Sequence, residues 1–534
     1  MRRVASRGVS GLSAVVALLA GLLHAWSFAT PWDGQPVWVL QLLSLALLIW
    51  RVDAARTPAR AGVLAWLFSL AWLAGGTWWM FVSMHVYGGL PAPAAALAVA
   101  ALSGALAIYY AAMALAYRAL RPAGEIPRAV LFAALWLLAE LMRARWFTGF
   151  PWVAAGYAHV DGPLAGFAPL VGVYGISALA ALIAGLLVGQ IAAARPREAH
   201  PSGYSRRQPR AWHRATSGVL ALSVLLAGWW LVPAASTPGP GVAVTLLQGN
   251  IPQDEKFLPG SGIPGALAWY GEQLRSSADG LVVAPETALP LLPQQLPPGY
   301  LDSVAEHFQA SHGSRAALVG IPLGGRSEGY TNSVIGLKTG AEPVYVYSKY
   351  HLVPFGEFIP PLFRWFTEMM NIPLGDFNRG TDRPPSFEWA GQRFAPNICY
   401  EDLFGEELAA RFAEPAQAPT IFVNLSNIGW FGDTVAIDQH LQISRMRTLE
   451  FARPMIRATN TGATAIIDER GRVVQALPRL TRGVLRGTVV GRGAATAGAG
   501  SITPYARWVA HLGLWPMWLF GLAVAALAFL LRRR

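Results

Sequence analysis

Three stretches of this chain put a reactive side chain where a β-prone run gives way to a loop: VVAPETALP with Glu286, VYSKYHLVPFGEF with Lys349 and Glu357, and NICYED with Cys399 and Glu401. Cys399 is the single cysteine in 534 residues, so no disulfide can form within the chain. Lys349 is one of three lysines, beside Lys256 and Lys338, in a chain whose positive charge is otherwise arginine. Each residue alone has a plainer reading, because an isolated cysteine is more often a small buried hydrophobe and lone Glu or Lys residues are usually solvated surface charges. Together they supply a thiol, an ammonium and a carboxylate. A thiol becomes a competent nucleophile when a cation and a general base favour its thiolate, and that chemistry is nucleophilic catalysis through a covalent intermediate.

Other polar residues read more simply. His351 beside the lysine reads as a satisfied polar group, and Asn424 and Asn427 in VNLSN as turn stabilisers. The ten histidines show neither H-x-x-x-H nor Cys-His spacing, so no metal is expected, and no phosphate-binding Gly-rich Lys motif or cofactor motif is present.

The elements that must position these residues follow from periodicity. Between residues 241 and 492, the β-rich runs VAVTLLQGN, GLVVAPE, AALVGIP, TNSVIGL, VYVYSK, RFAPNIC and TIFVNLS alternate with helical stretches near 264–278, 298–312, 402–412 and 434–451. Strands interleaved with helices predict an α/β domain, and active-site residues often sit on loops that a rigid sheet positions.

Outside that segment the composition is that of a membrane protein, with 54% hydrophobic and only 13% charged residues. Apolar runs cover 9–29, 36–50, 61–83, 91–117, 128–142, 166–194, 215–233 and 511–531, which predicts about eight spans. The net charge of +12 does not call for nucleic acid, because residues 241–507 carry 22 Lys plus Arg against 24 Asp plus Glu. The basic residues lie in alternate loops, with Arg2, Arg3 and Arg7 before the first run, Arg51, Arg56 and Arg60 after the second, Arg118, Arg121 and Arg128 after the fourth, and an arginine-rich stretch at 195–214. The positive-inside rule then puts both termini in the cytoplasm and the α/β segment on the far side. The expected organisation is a transmembrane domain over 1–233, a catalytic domain over 234–510, and a last span with its tail over 511–534. Glu140, near the end of the fifth run, is the main charge within the spans and reads equally as intramembrane or as interfacial.

The order Glu, Lys, Cys in APE, SKYHLVPFGE and NICYED resembles the nitrilase superfamily of carbon–nitrogen hydrolases. Together with the spans and VNLSNIGWFGDT, it resembles the apolipoprotein N-acyltransferase family over essentially the whole chain. The resemblance implies an αββα sandwich on a polytopic helical membrane domain. It implies Glu286 as general base, Lys349 as charged stabiliser and Cys399 as nucleophile, supported by Glu357, Glu401 and the Tyr400 backbone N–H. Trp430 and Phe431 match an aromatic arm at the entrance. Phe358, with Phe355, Phe363, Trp365, Phe366, Met369 and Met370, follows the lysine loop and is read as lipid-facing or as domain core. Phe257 stands where the family usually has tryptophan. The implied donor is a phospholipid, the implied acceptor a diacylglyceryl-cysteine apolipoprotein, and the implied place the inner membrane of a bacterial cell with the catalytic domain in the periplasm. Two other readings use the same residues: a membrane-anchored amidase that hydrolyses small amides, and a transporter or scaffold bearing an inactive amidase-like sensor.

Overall fold

The computed structural model describes residues 9–194, 211–231, 241–340, 344–359, 376–492 and 502–532. Its contacts divide the chain into two compact units. One contains Met1–Trp78, Ala96–Val232 and Leu514–Arg534, and the other Trp79–Ala95 and Pro233–Gly513.

The first unit is helical. A helix overlaps each of the eight apolar runs: Gly11–Trp26, Trp38–Ala54, Pro58–Gly76, Ala92–Leu120, Glu125–Arg145, Ala168–Ala194, Ala211–Trp230 and Trp515–Arg532. By length and composition, four apolar stretches among the described residues suffice to cross a membrane: Pro58–Gly76, Ala92–Leu120, Pro163–Gln190 and Trp515–Arg532. The starts follow from sequence, since the Thr57 hydroxyl accepts the Arg60 N–H at 3.3 Å and Pro58 occupies the first turn. The third run ends earlier than its hydropathy suggests, at Gly76 instead of residue 83, where the Thr77 hydroxyl and N–H both turn back to the Leu73 carbonyl. Glu140 is fully buried and paired with Arg143 at 3.0 Å, and Arg143 donates in turn to the carbonyls of Phe150 and Trp152 at 2.7 Å each. A buried charge is tolerable only when paired and hydrogen-bonded, and this pair ties an irregular stretch to the helix that carries it.

The second unit is built on twelve strands among the described residues: β1 (Val242–Gln248), β2 (Gly280–Ala284), β3 (Arg315–Gly325), β4 (Gly329–Lys338), β5 (Tyr345–Ser348), β6 (Phe387–Trp389), β7 (Gln392–Ile398), β8 (Ile421–Ser426), β9 (Met455–Thr459), β10 (Ala465–Ile467), β11 (Val473–Ala476) and β12 (Gly483–Val489). They form two six-stranded sheets, in the orders β12-β1-β2-β3-β4-β5 and β11-β10-β9-β8-β7-β6. In the first, β1, β2 and β3 run parallel, with antiparallel neighbours on both sides. In the second, β7, β8 and β9 run parallel.

Alternation along the strands makes the layers. Val244, Leu246, Leu281, Val283 and Leu318 meet Ile398, Ile421, Val423, Leu425 and Ile456 between the sheets. The opposite faces bury Leu247, Val282 and Val319 under the helices Gly262–Arg275 and Tyr300–Gln309, and Phe422 and Met455 beside Phe412, Phe451 and Tyr505. Each fully buried aliphatic side chain contributes about 1.5–3 kcal/mol. The result is an αββα sandwich. The helix expected over 402–412 is instead three short pieces, Cys399–Leu403, Gly405–Ala409 and Ala410–Phe412. Its first turn is drawn tight by Glu401, whose carboxylate reaches back to the Ile398 N–H at 2.7 Å.

Candidate active site

The site forms where parallel strands end, the place from which open sheets present ligands to loops. Glu286 lies two residues past β2, Lys349 directly past β5, Cys399 directly past β7, Asn427 directly past β8 and Asn460 directly past β9.

Glu286 and Lys349 are almost wholly buried, with 7% and 1% of their surface exposed. The Glu286 carboxylate is held at both oxygens: Oε1 accepts Asn332 Nδ2 at 2.7 Å and lies 3.5 Å from Lys349 Nζ, and Oε2 accepts the Asn427 N–H at 2.7 Å. Lys349 Nζ donates to Glu357 Oε1 at 2.9 Å, and Asn332 Nδ2 also reaches that oxygen at 2.7 Å. Glu357 is anchored by the Val353 N–H at 2.9 Å. One amide therefore bridges two carboxylates, with an ammonium between them.

A second lysine completes the charge balance. Lys256 is buried, and its Nζ donates to the Glu286 backbone carbonyl at 3.1 Å. Burial lowers its ammonium to about 8, against the opposing pull of Glu286 and Cys399. Two ammoniums thus face two carboxylates, and a neutral thiol adds no charge to the group.

Cys399 is half-buried, with φ at +52°, a left-handed backbone that non-glycine residues seldom adopt. Enclosure pushes the thiol up to about 12, Glu286 adds to the rise, and Lys349 opposes it. For Glu286 the desolvation is outweighed by Lys349, Asn332, Lys256 and the Asn427 N–H, so its carboxyl stays below the ordinary range. Lys349 is held above its ordinary value, because Glu357 and Glu286 outweigh its burial. At rest, the proton therefore sits on sulfur and the negative charge on Glu286.

Glu401 joins the cysteine turn to the lysine loop. Its Oε2 accepts the Tyr347 hydroxyl and the Ile398 N–H, and its Oε1 the N–H groups of Tyr350 and His351 at 2.7 and 3.2 Å. Tyr400 is buried against Phe404, ring centroids 5.2 Å apart. His351 stacks on Phe404 and its Nδ1 pairs with Glu407 at 2.8 Å, but its buried Nε2 has no hydrogen-bond partner among the described residues, so the expected satisfied polar group is only half satisfied.

Trp430 and Phe431 are half-buried and lie together with a segment that hydropathy assigns to a span. The Phe431 ring is 4.2 Å from Trp79 and the Trp430 ring 6.1 Å from Tyr87, while Trp79 Nε1 donates to Gln439 at 3.0 Å. Phe358 packs under the Arg379 guanidinium, 5.7 Å from its ring centroid. Phe257 lies beside Lys256, whose Nζ is 5.9 Å from the ring centroid. Phe363, Trp365, Phe366, Met369 and Met370 lie outside the described residues.

Sequence reasoning missed Asn332, Gln253 and Asn460, and it gave Lys256 no role. It read Asn424 and Asn427 as turn residues, whereas Asn424 Nδ2 donates to the Cys399 carbonyl at 3.3 Å and the Asn427 side chain donates to Gln253 at 2.8 Å. The usable signal was an amide inside or just past a β-run, where a buried polar group needs a partner. Among the described residues no group of three or more His, Cys, Asp or Glu is arranged to hold a metal ion.

Residues 20–186 match the family described as apolipoprotein N-acyltransferase N-terminal domain, and residues 248–496 match the carbon-nitrogen hydrolase family. The apolipoprotein N-acyltransferase of Verminephrobacter eiseniae (strain EF01-2) is 57% identical over 510 residues, 93% of this chain and 92% of that one. That of Ralstonia nicotianae (strain ATCC BAA-1114 / GMI1000) is 44% identical over 501 residues, 93% of this chain and 90% of that one. Among solved structures, Saccharomyces cerevisiae Nit3, a member of branch 10 of the nitrilase superfamily, gives a TM-score of 0.35 at 14% identity, over 48% of this chain and 93% of that one.

Proposed function

The chain belongs to the apolipoprotein N-acyltransferase family, and from that premise we propose that Cys399 carries the acyl group as a thioester, with Glu286 as its base and Lys349 as the cation beside it. The protein is a membrane-associated acyltransferase of lipoprotein N-acylation. The observation that carries the mechanism is the hydrogen-bonded set of Glu286, Lys349, Glu357 and Asn332 at the strand ends where Cys399 also lies.

The donor is a membrane phospholipid. As its ester carbonyl approaches, Glu286 takes the thiol proton and a sulfur–carbon bond forms. The resulting oxyanion faces Lys349 Nζ and the Tyr400 backbone N–H, and one such donor is typically worth about a hundredfold or more in rate. Collapse breaks the ester carbon–oxygen bond, Glu286 returns the proton to the departing glycerol oxygen, and a lysophospholipid leaves. The N-terminal amine of a diacylglyceryl-cysteine apolipoprotein then attacks the thioester. Glu286 accepts the amine proton, the carbon–sulfur bond breaks, and that proton returns to sulfur. Such two-step transfer gives ping-pong kinetics.

Both substrates reside in a bilayer, which agrees with the apolar helices. The basic loops support cytoplasmic termini and a catalytic segment, 234–510, on the periplasmic side of a bacterial inner membrane, with 1–233 and 511–534 as the membrane parts. Trp430, Phe431 and Phe358 are proposed to meet acyl chains, and Glu357, Tyr400 and Glu401 to support the triad.

The test is mass spectrometry of the purified protein after incubation with phosphatidylethanolamine vesicles. An acyl adduct on Cys399 that hydroxylamine removes is expected, absent in Cys399→Ala and greatly slowed in Glu286→Gln. Acyl transfer by Cys399→Ala would remove the thioester, and a normal adduct yield in Glu286→Gln would reassign the base.

A further inference from the structure

Behind the cysteine lies a cluster that the reaction above does not use. Asp402, His440 and Arg457 are wholly buried in the second unit, on the turn after β7, the helix Ala436–Phe451 and β9. Arg457 Nη2 lies 3.1 Å from His440 Nδ1, and Arg457 Nη1 lies 3.3 Å from Asp402 Oδ2. Ser444 hydrogen-bonds both Asp402 Oδ2 and Arg457 Nη1.

These contacts determine the histidine tautomer. A guanidinium only donates, so Nδ1 facing Arg457 is the acceptor and the imidazole hydrogen sits on Nε2. His440 Nε2 lies 3.0 Å from Asp402 Oδ1 and 3.2 Å from the Cys399 carbonyl oxygen, and both of those atoms accept. The same carbonyl takes a second donor, Asn424 Nδ2 at 3.3 Å.

That carbonyl and the Tyr400 N–H are opposite ends of one planar peptide unit. Two side-chain donors on the oxygen therefore fix the direction of the N–H and polarise it, since hydrogen bonds in series strengthen one another. The turn needs such holding, because Cys399 sits at positive φ, where a residue with a Cβ pays about 1–3 kcal/mol.

We propose that His440, oriented by Asp402 and Arg457, is a positioning residue that aims the Tyr400 N–H at the acyl oxyanion by gripping the Cys399 carbonyl. The proposal rests on the thioester reading and deepens it: His440 touches no substrate and acts through the peptide that follows the nucleophile.

Two reactions of the same sulfur separate this role from a merely structural one. Acylation by a phospholipid ester passes through an oxyanion, whereas alkylation by iodoacetamide is a displacement at carbon that forms none. In full-length protein with phosphatidylethanolamine vesicles, His440→Ala is expected to slow adduct formation on Cys399 by about 10- to 100-fold, with the alkylation rate within about twofold of the parent. His440→Gln, whose amide reaches the same carbonyl, should recover most of the loss. Asn424→Leu, which removes the other donor and leaves His440 in place, should show the same split to a smaller degree. Equal slowing of both reactions in these variants, an unchanged acylation rate in His440→Ala, or a Gln variant no better than Ala would overturn the proposal. Failure of the thioester reading is seen separately, as the absence of any hydroxylamine-labile adduct in the parent chain.

Discussion

Asn332 places one amide nitrogen 2.7 Å from a carboxylate oxygen of Glu286 and 2.7 Å from one of Glu357. Its place on β4, where its carbonyl accepts the Lys349 N–H at 2.8 Å, puts it beside the lysine as well. Hydrogen bonds to charged groups are worth about 1.5–3 kcal/mol each, and here they also separate two like charges. Outweighing its burial, Lys349, Asn332, Lys256 and the Asn427 N–H hold the Glu286 carboxyl below its ordinary value of 4.5 in the folded chain, so it contributes stability above that value and loses it as the pH falls through the folded pKa. Asn332→Leu is therefore expected to move the acid limb of the acylation rate to higher pH and to shrink the stability that Glu286 loses on acidification, with that loss complete at a higher pH than in the parent. A pH–rate profile together with thermal melts across the same range would check it, and an acid limb that stays in place would show that Asn332 does not tune the base.

The elements matter because each presents one group and must stop in register with its neighbours. Gly320 on β3 lies under the Glu286 loop: an added Cβ would stand 2.2 Å from the Pro285 carbonyl oxygen and 2.9 Å from the Glu286 Cα. Gly320→Ala must push that loop away, at a cost of about 1–3 kcal/mol. A displacement near 1 Å is enough to lower turnover by about a hundredfold. Melting temperature and acylation rate should fall together, and a fully active alanine variant would mean that the loop has slack. Glu401 joins two elements by accepting four donors, two at each oxygen. In Glu401→Gln the amide hydrogens must face a pair of donors whichever way the group is turned. Although isosteric, that change should cost about 2–4 kcal/mol and most of the activity. Retention of both in calorimetry and in the vesicle assay would assign the link between cysteine turn and lysine loop to other contacts.

For the whole molecule, the arginines of the short loops supply the charge that the catalytic segment lacks, and they set its proposed orientation. A chain with one cysteine makes that orientation easy to test. In a Cys399→Ala background, Ser276→Cys on the exposed end of a catalytic-unit helix should react with a membrane-impermeant maleimide in intact spheroplasts. Arg56→Cys, in the exposed loop before the third helix, should react only after permeabilisation. The reverse labelling pattern would invert the topology. Trp79–Ala95, whose two ends hydropathy assigns to the third and fourth apolar runs, groups with the catalytic unit, where its aromatic residues find rings and an amide.

What the amino-acid order determined by itself is local and periodic. The β-runs through Ala284, Ser348, Ile398 and Ser426 were legible because buried strands are apolar and end at residues that are not. Glu286, Lys349 and Cys399 stood out because each follows such an ending, and the apolar runs because spanning a bilayer needs length. The strands β6, β10 and β11, of three or four residues and outside the β-rich runs, carry too little period to be read. Only the folded chain decided that Asn332 bridges two carboxylates, that Lys256 turns inward, and that Asp402, His440 and Arg457 converge behind the nucleophile from a turn, a helix and a strand. Those partners lie far apart in sequence, and what joins them is the requirement that every buried charge and amide find a partner, a condition that three-dimensional packing settles and no local pattern encodes.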